Sequence, residues 1–122
     1  MITVDTSVWV DHLNRPDARL VALIQDDRTV LHPYVLVELS LGNLSNWKKQ
    51  VARLQEIPSA DPLPTDAIIA RVEELDLQGS GLGFVDAHLL AWALAAPGRS
   101  LWSRDRRLQE RAEAAGVAWS PG

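Results

Sequence analysis

Four acidic residues interrupt or end apolar segments, where charged side chains are uncommon: Asp5, Glu38, Asp86 and Asp105. Asp5 and Asp105 follow short β-favouring runs, whereas Glu38 and Asp86 lie within apolar stretches of helical spacing. Glu38 shares its predicted helix stripe with Tyr34 and Leu41. Because burying a lone ionised carboxylate is prohibitive, we expect Glu38 to be paired, protonated or metal-bound.

A cluster of these four carboxylates would suit a hard divalent cation. Without a cation the carboxylates repel one another, and some of them must hold protons. Oxygen-rich acidic sites bind Mg²⁺ or Mn²⁺, usually with several waters retained. Such ions lower the pKa of a bound water and neutralise charge on a leaving phosphate oxygen, so no Ser, Cys or Lys nucleophile is needed. The acidic set therefore favours phosphoryl chemistry.

Each carboxylate taken singly also has an ordinary structural explanation. Asp5 and Asp105 could be helix N-caps, and Asp86 could interact with the positive end of a helix dipole. Glu38 could accept a hydrogen bond from a buried Tyr or Trp. The metal interpretation depends on all four side chains lying at one end of one sheet.

Alternating short strands and helices are predicted to position these residues. Strands are expected at residues 1–4, 29–31, 100–102 and 117–119, and helices at about 6–14, 16–26, 33–42, 46–55, 65–76, 84–95 and 104–115. Thr6 or Ser7 is expected to cap the first helix. This order predicts an α/β sandwich with a mostly parallel sheet. Ligands of such folds bind at the carboxyl ends of the strands, where Asp5 and Asp105 are placed.

The composition indicates one globular domain over residues 1–122. Hydrophobic residues make up 47% of the chain and charged residues 23%. The apolar runs are far shorter than the roughly 20 residues that span a bilayer, so no membrane association is expected. The lack of cysteine excludes disulfides and thiolate ligands and fits a cytoplasmic protein. The net charge of −4 is unlike that of a simple nucleic-acid binder, although five of the twelve cations fall between residues 99 and 111.

Each acidic residue lies in a short motif, and the motifs are Met1–Leu13, Val35–Gly42, Gly83–Ala91 and Leu101–Leu108. In this order, and at this chain length, they resemble the four motifs of PIN-domain ribonucleases of the VapC toxin type. The resemblance spans essentially the whole chain. It implies a PIN-like three-layer α/β/α sandwich with a mostly parallel central sheet of about five short strands.

The resemblance also implies an activity and a set of roles. The chain would be a Mg²⁺- or Mn²⁺-dependent endoribonuclease that cleaves structured RNA, such as tRNA or rRNA, as the toxin of a type II toxin–antitoxin pair. Asp5, Glu38, Asp86 and Asp105 would be its metal ligands and catalytic residues. The hydroxyls of Thr6 or Ser7, and of Ser103, would orient carboxylates or waters. Members of the family usually form homodimers and are inhibited by a small VapB-like antitoxin.

The fourth motif is unusually basic. Arg104, Arg106 and Arg107 surround Asp105. These arginines could contact RNA phosphates, could pair with antitoxin carboxylates, or could be exposed helix ends.

Five tryptophans offer rings that could stack on bases. Trp47, beside Lys48 and Lys49, is the better surface candidate. The three tryptophans in apolar surroundings are expected in the core: Trp9, Trp92 and Trp102.

Three other functions fit the sequence less well than ribonuclease activity. A receiver-type Mg²⁺-binding module needs a Lys after its last strand, but the only lysines, Lys48 and Lys49, lie in a mid-chain helix. A haloacid-dehalogenase-type phosphatase needs a second Asp at the position of Ser7. A degenerate, non-catalytic PIN scaffold would have lost carboxylates, whereas here the acidic set is complete.

Overall fold

The central sheet has three parallel strands in the order β2-β1-β3. The computed structural model describes residues 1–121, so the predicted domain extends one residue, Gly122, beyond this range. The strands are β1 (Ile2–Val4), β2 (Thr29–Val30) and β3 (Ser100–Trp102). Ile2 lies opposite Thr29 on one side and Ser100 on the other. β1 is therefore the middle strand.

Within residues 1–121 the sheet has fewer strands than the five or so expected. Two further segments form only single parallel bridges, Leu31 with Ser59 and Leu101 with Ala118. The predicted strand at 117–119 makes two backbone hydrogen bonds to Leu101 and extends no further. It is confined between Gly116, whose φ is +77°, and Pro121, which has no N–H to donate to a ladder. The residues predicted a fourth strand at 117–119, and the family resemblance implied about five. Strand propensity alone does not show where pairing ends.

Seven helices accompany the sheet within the described residues: α1 (Thr6–Asn14), α2 (Ala18–Gln25), α3 (Pro33–Ser40), α4 (Trp47–Leu54), α5 (Thr65–Glu74), α6 (Phe84–Leu94) and α7 (Arg106–Ala114). Their ends lie within two residues of the predicted ones. The helix expected through Asp76 ends at Glu74, because Asp76 adopts a left-handed conformation with φ of +54°.

The helix starts follow local chemistry. Asp17 and Asp105 cap α2 and α7 by accepting hydrogen bonds from backbone N–H groups of the first turn. The expectation that Thr6 or Ser7 caps α1 is wrong, because Asp5 is the N-cap residue. The side chain of Asp5 makes no capping hydrogen bond, since hydroxyl groups engage its carboxylate instead.

Residues of β1 and α6 form the centre of the core. All three residues of β1 are buried, and α6 buries six consecutive side chains, His88 to Ala93. The mostly apolar sequence of α6 therefore reflects an interior helix. The tryptophans expected in the core are buried: Trp9, Trp92 and Trp102. No helix of residues 1–121 combines the length and the apolar character that a membrane span requires.

The parallel arrangement brings the chain segments after β1 and β3 to the same edge of the sheet. Asp5 follows β1, and its backbone N–H donates to the carbonyl of Trp102, the last residue of β3, at 2.9 Å. α1 packs against α3, and α6 packs against both β1 and β3. These contacts bring Glu38 of α3 and Asp86 of α6 towards the edge where Asp5 lies.

Candidate functional site

Asp5 is held by two serine hydroxyls. Its side chain is buried, with the residue only 5% exposed. Its Oδ2 accepts hydrogen bonds from Ser7 Oγ at 2.7 Å and from Ser103 Oγ at 2.8 Å. A buried carboxylate needs such donors, because it has given up its contact with water. The structure thus brings three of the predicted site residues together and gives the carboxylate a fixed direction.

The same hydroxyls join two distant chain segments. Ser7 Oγ accepts a hydrogen bond from the backbone N–H of Arg104 at 3.0 Å. Ser103 Oγ accepts one from the backbone N–H of Asp105 at 2.9 Å. Because Ser7 belongs to α1 and residues 103–105 follow β3, these bonds hold the two strand–helix junctions beside each other.

Glu38 lies on the exposed side of α3, contrary to the expectation that it shares a buried stripe. The buried stripe consists of Val35 and Leu39, four residues apart, whereas Leu41 is 81% exposed. Glu38 Oε1 accepts a hydrogen bond from Thr6 Oγ1 at 2.5 Å. The partner is therefore a hydroxyl of α1 and not a buried Tyr or Trp. The spacing of apolar residues did not identify the buried stripe of α3, because neighbouring faces of this short helix are both apolar.

Asp86 lies in the first turn of α6 and is half-buried. Its Oδ2 accepts a hydrogen bond from the backbone N–H of Gly83 at 3.1 Å. Burial raises the pKa of Asp86, and the negative charges of Asp5, Asp105 and Glu38 raise that pKa further, against the opposing effect of the Gly83 N–H. Three carboxylates from three other elements therefore lie close enough to Asp86 to act on its charge.

Asp105 is the N-cap of α7, as expected if its role were structural. Its Oδ1 accepts hydrogen bonds from the backbone N–H groups of Arg107 at 2.9 Å and Leu108 at 3.2 Å. The residue is exposed at the start of α7. Capping uses one oxygen, so it does not prevent the other oxygen from taking part in a site.

Each of the four carboxylates keeps one oxygen without a hydrogen bond from residues 1–121. The oxygens that accept hydrogen bonds are Oδ2 of Asp5 and of Asp86, Oδ1 of Asp105 and Oε1 of Glu38. The remaining oxygens are hard donors of the kind that Mg²⁺ and Mn²⁺ bind.

The spacing of these donors is looser than that of a ready-made metal site. In the described part of the chain, no three acidic or histidine side chains are already placed to share a metal ion. Mg²⁺ commonly keeps several waters and binds through one or two carboxylates. The donor chemistry therefore fits a hydrated cation, while the side-chain positions do not form a complete coordination shell.

Arg104 pairs with one acidic residue of α1 and with the N-cap residue of α2. Its guanidinium donates to Asp11 at 2.7 Å and to Asp17 at 2.6 Å, and it lies over the ring of Trp102 at 5.5 Å. Hydrogen bonds from Arg19 and then Arg104 hold the pKa of Asp17 well below its usual range, although burial opposes them. The sequence contained no signal for these pairs, because they join residues more than eighty positions apart.

Arg106 and Arg107 occupy different environments at the start of α7. Arg106 is largely exposed and pairs with Glu110, one turn later, at 2.9 Å. The side chain of Arg107 lies against Gly81, where an added Cβ would come within 2.7 Å of Arg107 Nη1. Arg107 therefore covers the glycine-rich segment that leads into α6 and Asp86.

An aromatic cluster sets the separation of α3 and α6. The ring of Tyr34, one turn before Glu38, lies 4.7 Å from that of His88 and 5.3 Å from that of Phe84. Phe84 and His88 flank Asp86 in the sequence. Sequence reasoning missed this positioning role, although the helical spacing of Tyr34 and Glu38 was visible.

The sequence matches the PIN domain family over residues 2–114. It is 41% identical over 118 residues to Ribonuclease VapC32 of Mycobacterium tuberculosis, strains CDC 1551 and H37Rv, an alignment that covers 97% of this chain and 95% of the relative. The fold is similar to the crystal structure of PAE2754 from Pyrobaculum aerophilum, with a TM-score of 0.66, 18% identity, and coverage of 97% of this chain and 87% of that one.

The matched regions cover the whole candidate site. The family match includes every acidic residue of the site, since Asp5 and Asp105 both lie between residues 2 and 114. The high identity extends over nearly the full length of the mycobacterial relatives. The chain belongs to the PIN-domain family, in the group of the VapC ribonucleases.

Proposed function

We propose that this protein is a divalent-metal-dependent endoribonuclease and the toxin of a toxin–antitoxin pair. The observation that supports the proposal is that three carboxylates lie near enough to Asp86 to raise its pKa, and that each of the four keeps one oxygen free of protein hydrogen bonds: Asp5, Glu38, Asp86 and Asp105. The relatives named ribonucleases support RNA as the substrate. Membership of the PIN-domain family excludes the receiver-type alternative.

The cation would be Mg²⁺ or Mn²⁺, held by the free oxygens of the four carboxylates. When bound, it supplies a water of lowered pKa and positive charge near the leaving oxygen. Ser7 and Ser103 hold Asp5 in one direction, and Thr6 does the same for Glu38. The Gly83 N–H orients Asp86. Acceptors fixed in this way can align a water for attack on a phosphodiester without reorganising during the reaction.

Structured RNA, such as tRNA or rRNA, is the proposed substrate. Arg106 and Arg107 lie beside Asp105 and are proposed to contact RNA phosphates or the carboxylates of an antitoxin. Arg104 would join them only by giving up its pairs with Asp11 and Asp17.

A VapB-like antitoxin and a second copy of the chain are the proposed protein partners, and the cytoplasm is the proposed location. Exposed apolar side chains on α3 and α6 support a homodimer, because Val37, Leu41 and Phe84 are 54%, 81% and 68% exposed. The acidic edge lies next to these residues, since α3 also carries Glu38 and α6 carries Asp86.

RNA cleavage by the purified full chain tests the proposal. We expect end-labelled tRNA or rRNA to be cut in the presence of Mn²⁺, and cutting to stop when a chelator is added. Asp5→Asn should be inactive while keeping its circular dichroism spectrum. Cleavage that survives the chelator, or that is undiminished in Asp5→Asn, would contradict the proposed function.

A further inference from the structure

Trp47 is the most exposed of the tryptophans within the described residues. It is 46% exposed, whereas Trp9, Trp92 and Trp102 are at most 3% exposed and Trp119 packs on Trp102 with ring centres 4.8 Å apart. Its indole is nevertheless fixed, because Nε1 donates a hydrogen bond to the carbonyl of Ser40 at 2.7 Å. A large aromatic ring is thus held in one orientation at the surface.

The residues beside this ring carry positive charge without compensation. Lys48 and Lys49 are the only lysines of the chain, and both are exposed. Neither forms an ion pair within residues 1–121, and α4, which also carries Arg53, contains no acidic residue. In a chain of net charge −4, this end of α4 is a local site of positive potential. Trp47 and the two lysines line one shallow surface depression.

This surface lies at the carboxyl-terminal end of α3, the helix that carries Glu38. Ser40, the anchor of the Trp47 indole, is the last residue of α3 and lies two positions after Glu38. α4 also packs directly against α3. RNA bound to Trp47 therefore lies beside the helix that supplies Glu38 to the acidic site.

We infer that Trp47, Lys48 and Lys49 bind unpaired nucleotides of the RNA next to the cleaved phosphodiester. Trp47 stacks on a base and the lysines contact backbone phosphates, which is the combination typical of single-strand binding surfaces. The inference rests on the proposed ribonuclease function. A second copy of the chain fits less well, because a two-fold interface centred on this patch would bring the lysines of both copies together.

Fluorescence anisotropy with the full chain and a chelator separates binding from cleavage. The probe is a labelled unpaired RNA oligonucleotide, compared with the same strand annealed to its complement. Trp47→Ala should weaken binding of the unpaired strand by about 5- to 140-fold. It should leave duplex binding unchanged, because a paired base cannot stack on the indole. Trp47→Phe should retain most of the affinity.

The lysines are tested by the salt dependence of the same binding. In Lys48→Gln/Lys49→Gln, the slope of log affinity against log salt should fall by about 1.4, the value for two phosphate contacts on a single strand. The matched control is Arg15→Gln/Arg28→Gln, which also removes two exposed charges. Arg15 follows α1 and Arg28 precedes β2, so both lie at element ends away from the acidic edge. The control should keep the wild-type slope.

Several results would overturn the inference. These are no binding of unpaired RNA by the wild-type chain, equal losses in the control, or a Trp47→Ala effect that is the same for duplex RNA. A change of oligomeric state in Trp47→Ala, or loss of antitoxin binding with RNA binding intact, would assign the patch to a protein partner instead. The assay of tRNA and rRNA with Mn²⁺ and no chelator tests cleavage separately: binding of unpaired RNA through the patch, together with uncut tRNA and rRNA, refutes the proposed function alone.

Discussion

Asp5 and Asp86 differ in how many hydrogen-bond donors compensate the burial of their carboxylates. Asp5 is buried but receives two hydroxyl donors. Asp86 receives one backbone N–H, which does not offset its burial and its negative neighbours, so its pKa is raised. At the residue scale, the charge on Asp86 is the least compensated feature of the site in the absence of a cation.

Replacing Asp86 by Asn should separate activity from stability. Cleavage should fall by about 100-fold or more, as expected when one preorganised charge-stabilising group is lost. The metal-free protein should become more stable, because the substitution removes a carboxylate that is harder to ionise in the folded state than in the unfolded chain. RNA cleavage rates and chelator-treated thermal melts measure the two effects. A variant that is both inactive and less stable than the wild type would show that Asp86 serves mainly the fold.

The sign of the pH dependence follows from the raised pKa. The folded protein holds the Asp86 proton more tightly than the unfolded chain does, so ionisation of Asp86 destabilises the fold as the pH rises above 3.8 through the raised value. We expect this loss of unfolding free energy in the metal-free wild type and its absence in Asp86→Asn. Urea titrations at a series of pH values test it, and identical profiles for both proteins would refute it.

Ser103→Ala should impair Asp5 without unfolding the protein. The substitution removes one of the two hydroxyl donors to Oδ2 and the acceptor of the Asp105 N–H. Loss of such a supporting group typically costs 10- to 100-fold in metal affinity or activity. Metal titration and cleavage assays measure the effect, with exposed Ser120→Ala as the control. Equal behaviour of the two variants would mean that Ser103 does not position Asp5.

At the scale of elements, the site is held together by links between junctions. Arg104, after β3, joins Asp11 of α1 to Asp17 at the start of α2. The serine hydroxyls join the residues after β3 to the start of α1, at the acidic edge. These links are local in space and distant in sequence, so they couple the position of Asp105 to that of Asp5.

Arg104→Gln should destabilise the protein, whereas Arg106→Gln should not. Arg104 makes two partly exposed ion pairs, which together are worth about 1 kcal/mol after solvent screening. Because the pKa of Asp17 is lowered, this stability is present above the usual aspartate range and is lost as the pH falls below about 4. Chemical denaturation at neutral and acidic pH measures it. Equal stability of the two variants at neutral pH would show that the Arg104 pairs contribute nothing.

At the scale of the whole molecule, the cation is the proposed completion of the fold. The negative charges of Asp5, Glu38 and Asp105 act on Asp86, and no positive side chain pairs with any of the four carboxylates within residues 1–121. A ligand that binds only the folded state stabilises it by mass action.

Mn²⁺ should therefore raise the melting temperature of the wild-type chain. At a free concentration of 100 times its Kd, the gain is about 2.7 kcal/mol. Asp86→Asn should show a much smaller rise, and NaCl at equal ionic strength should reproduce none of it. A melting temperature that does not respond to Mn²⁺ would argue against a cation at this edge.

Much of the local structure was predictable from the sequence alone. Helix ends were placed to within two residues because Asp17, Pro33 and Gly116 act on the backbone next to them. The four acidic residues were also identifiable, since a carboxylate beside an apolar run stands out without any structure. The sequence by itself therefore determined which helices form and which residues are candidates for chemistry.

Only the tertiary structure decided how those residues are used. In the tertiary structure, Glu38 lies on the exposed side of α3 and accepts a hydrogen bond from Thr6. Arg104 pairs with Asp11 and Asp17. The sheet has three strands within the described residues. The tertiary structure also places Ser103 against Asp5 across 98 positions of chain. These outcomes depend on which distant surfaces pack together, and local propensity carries no information about such contacts.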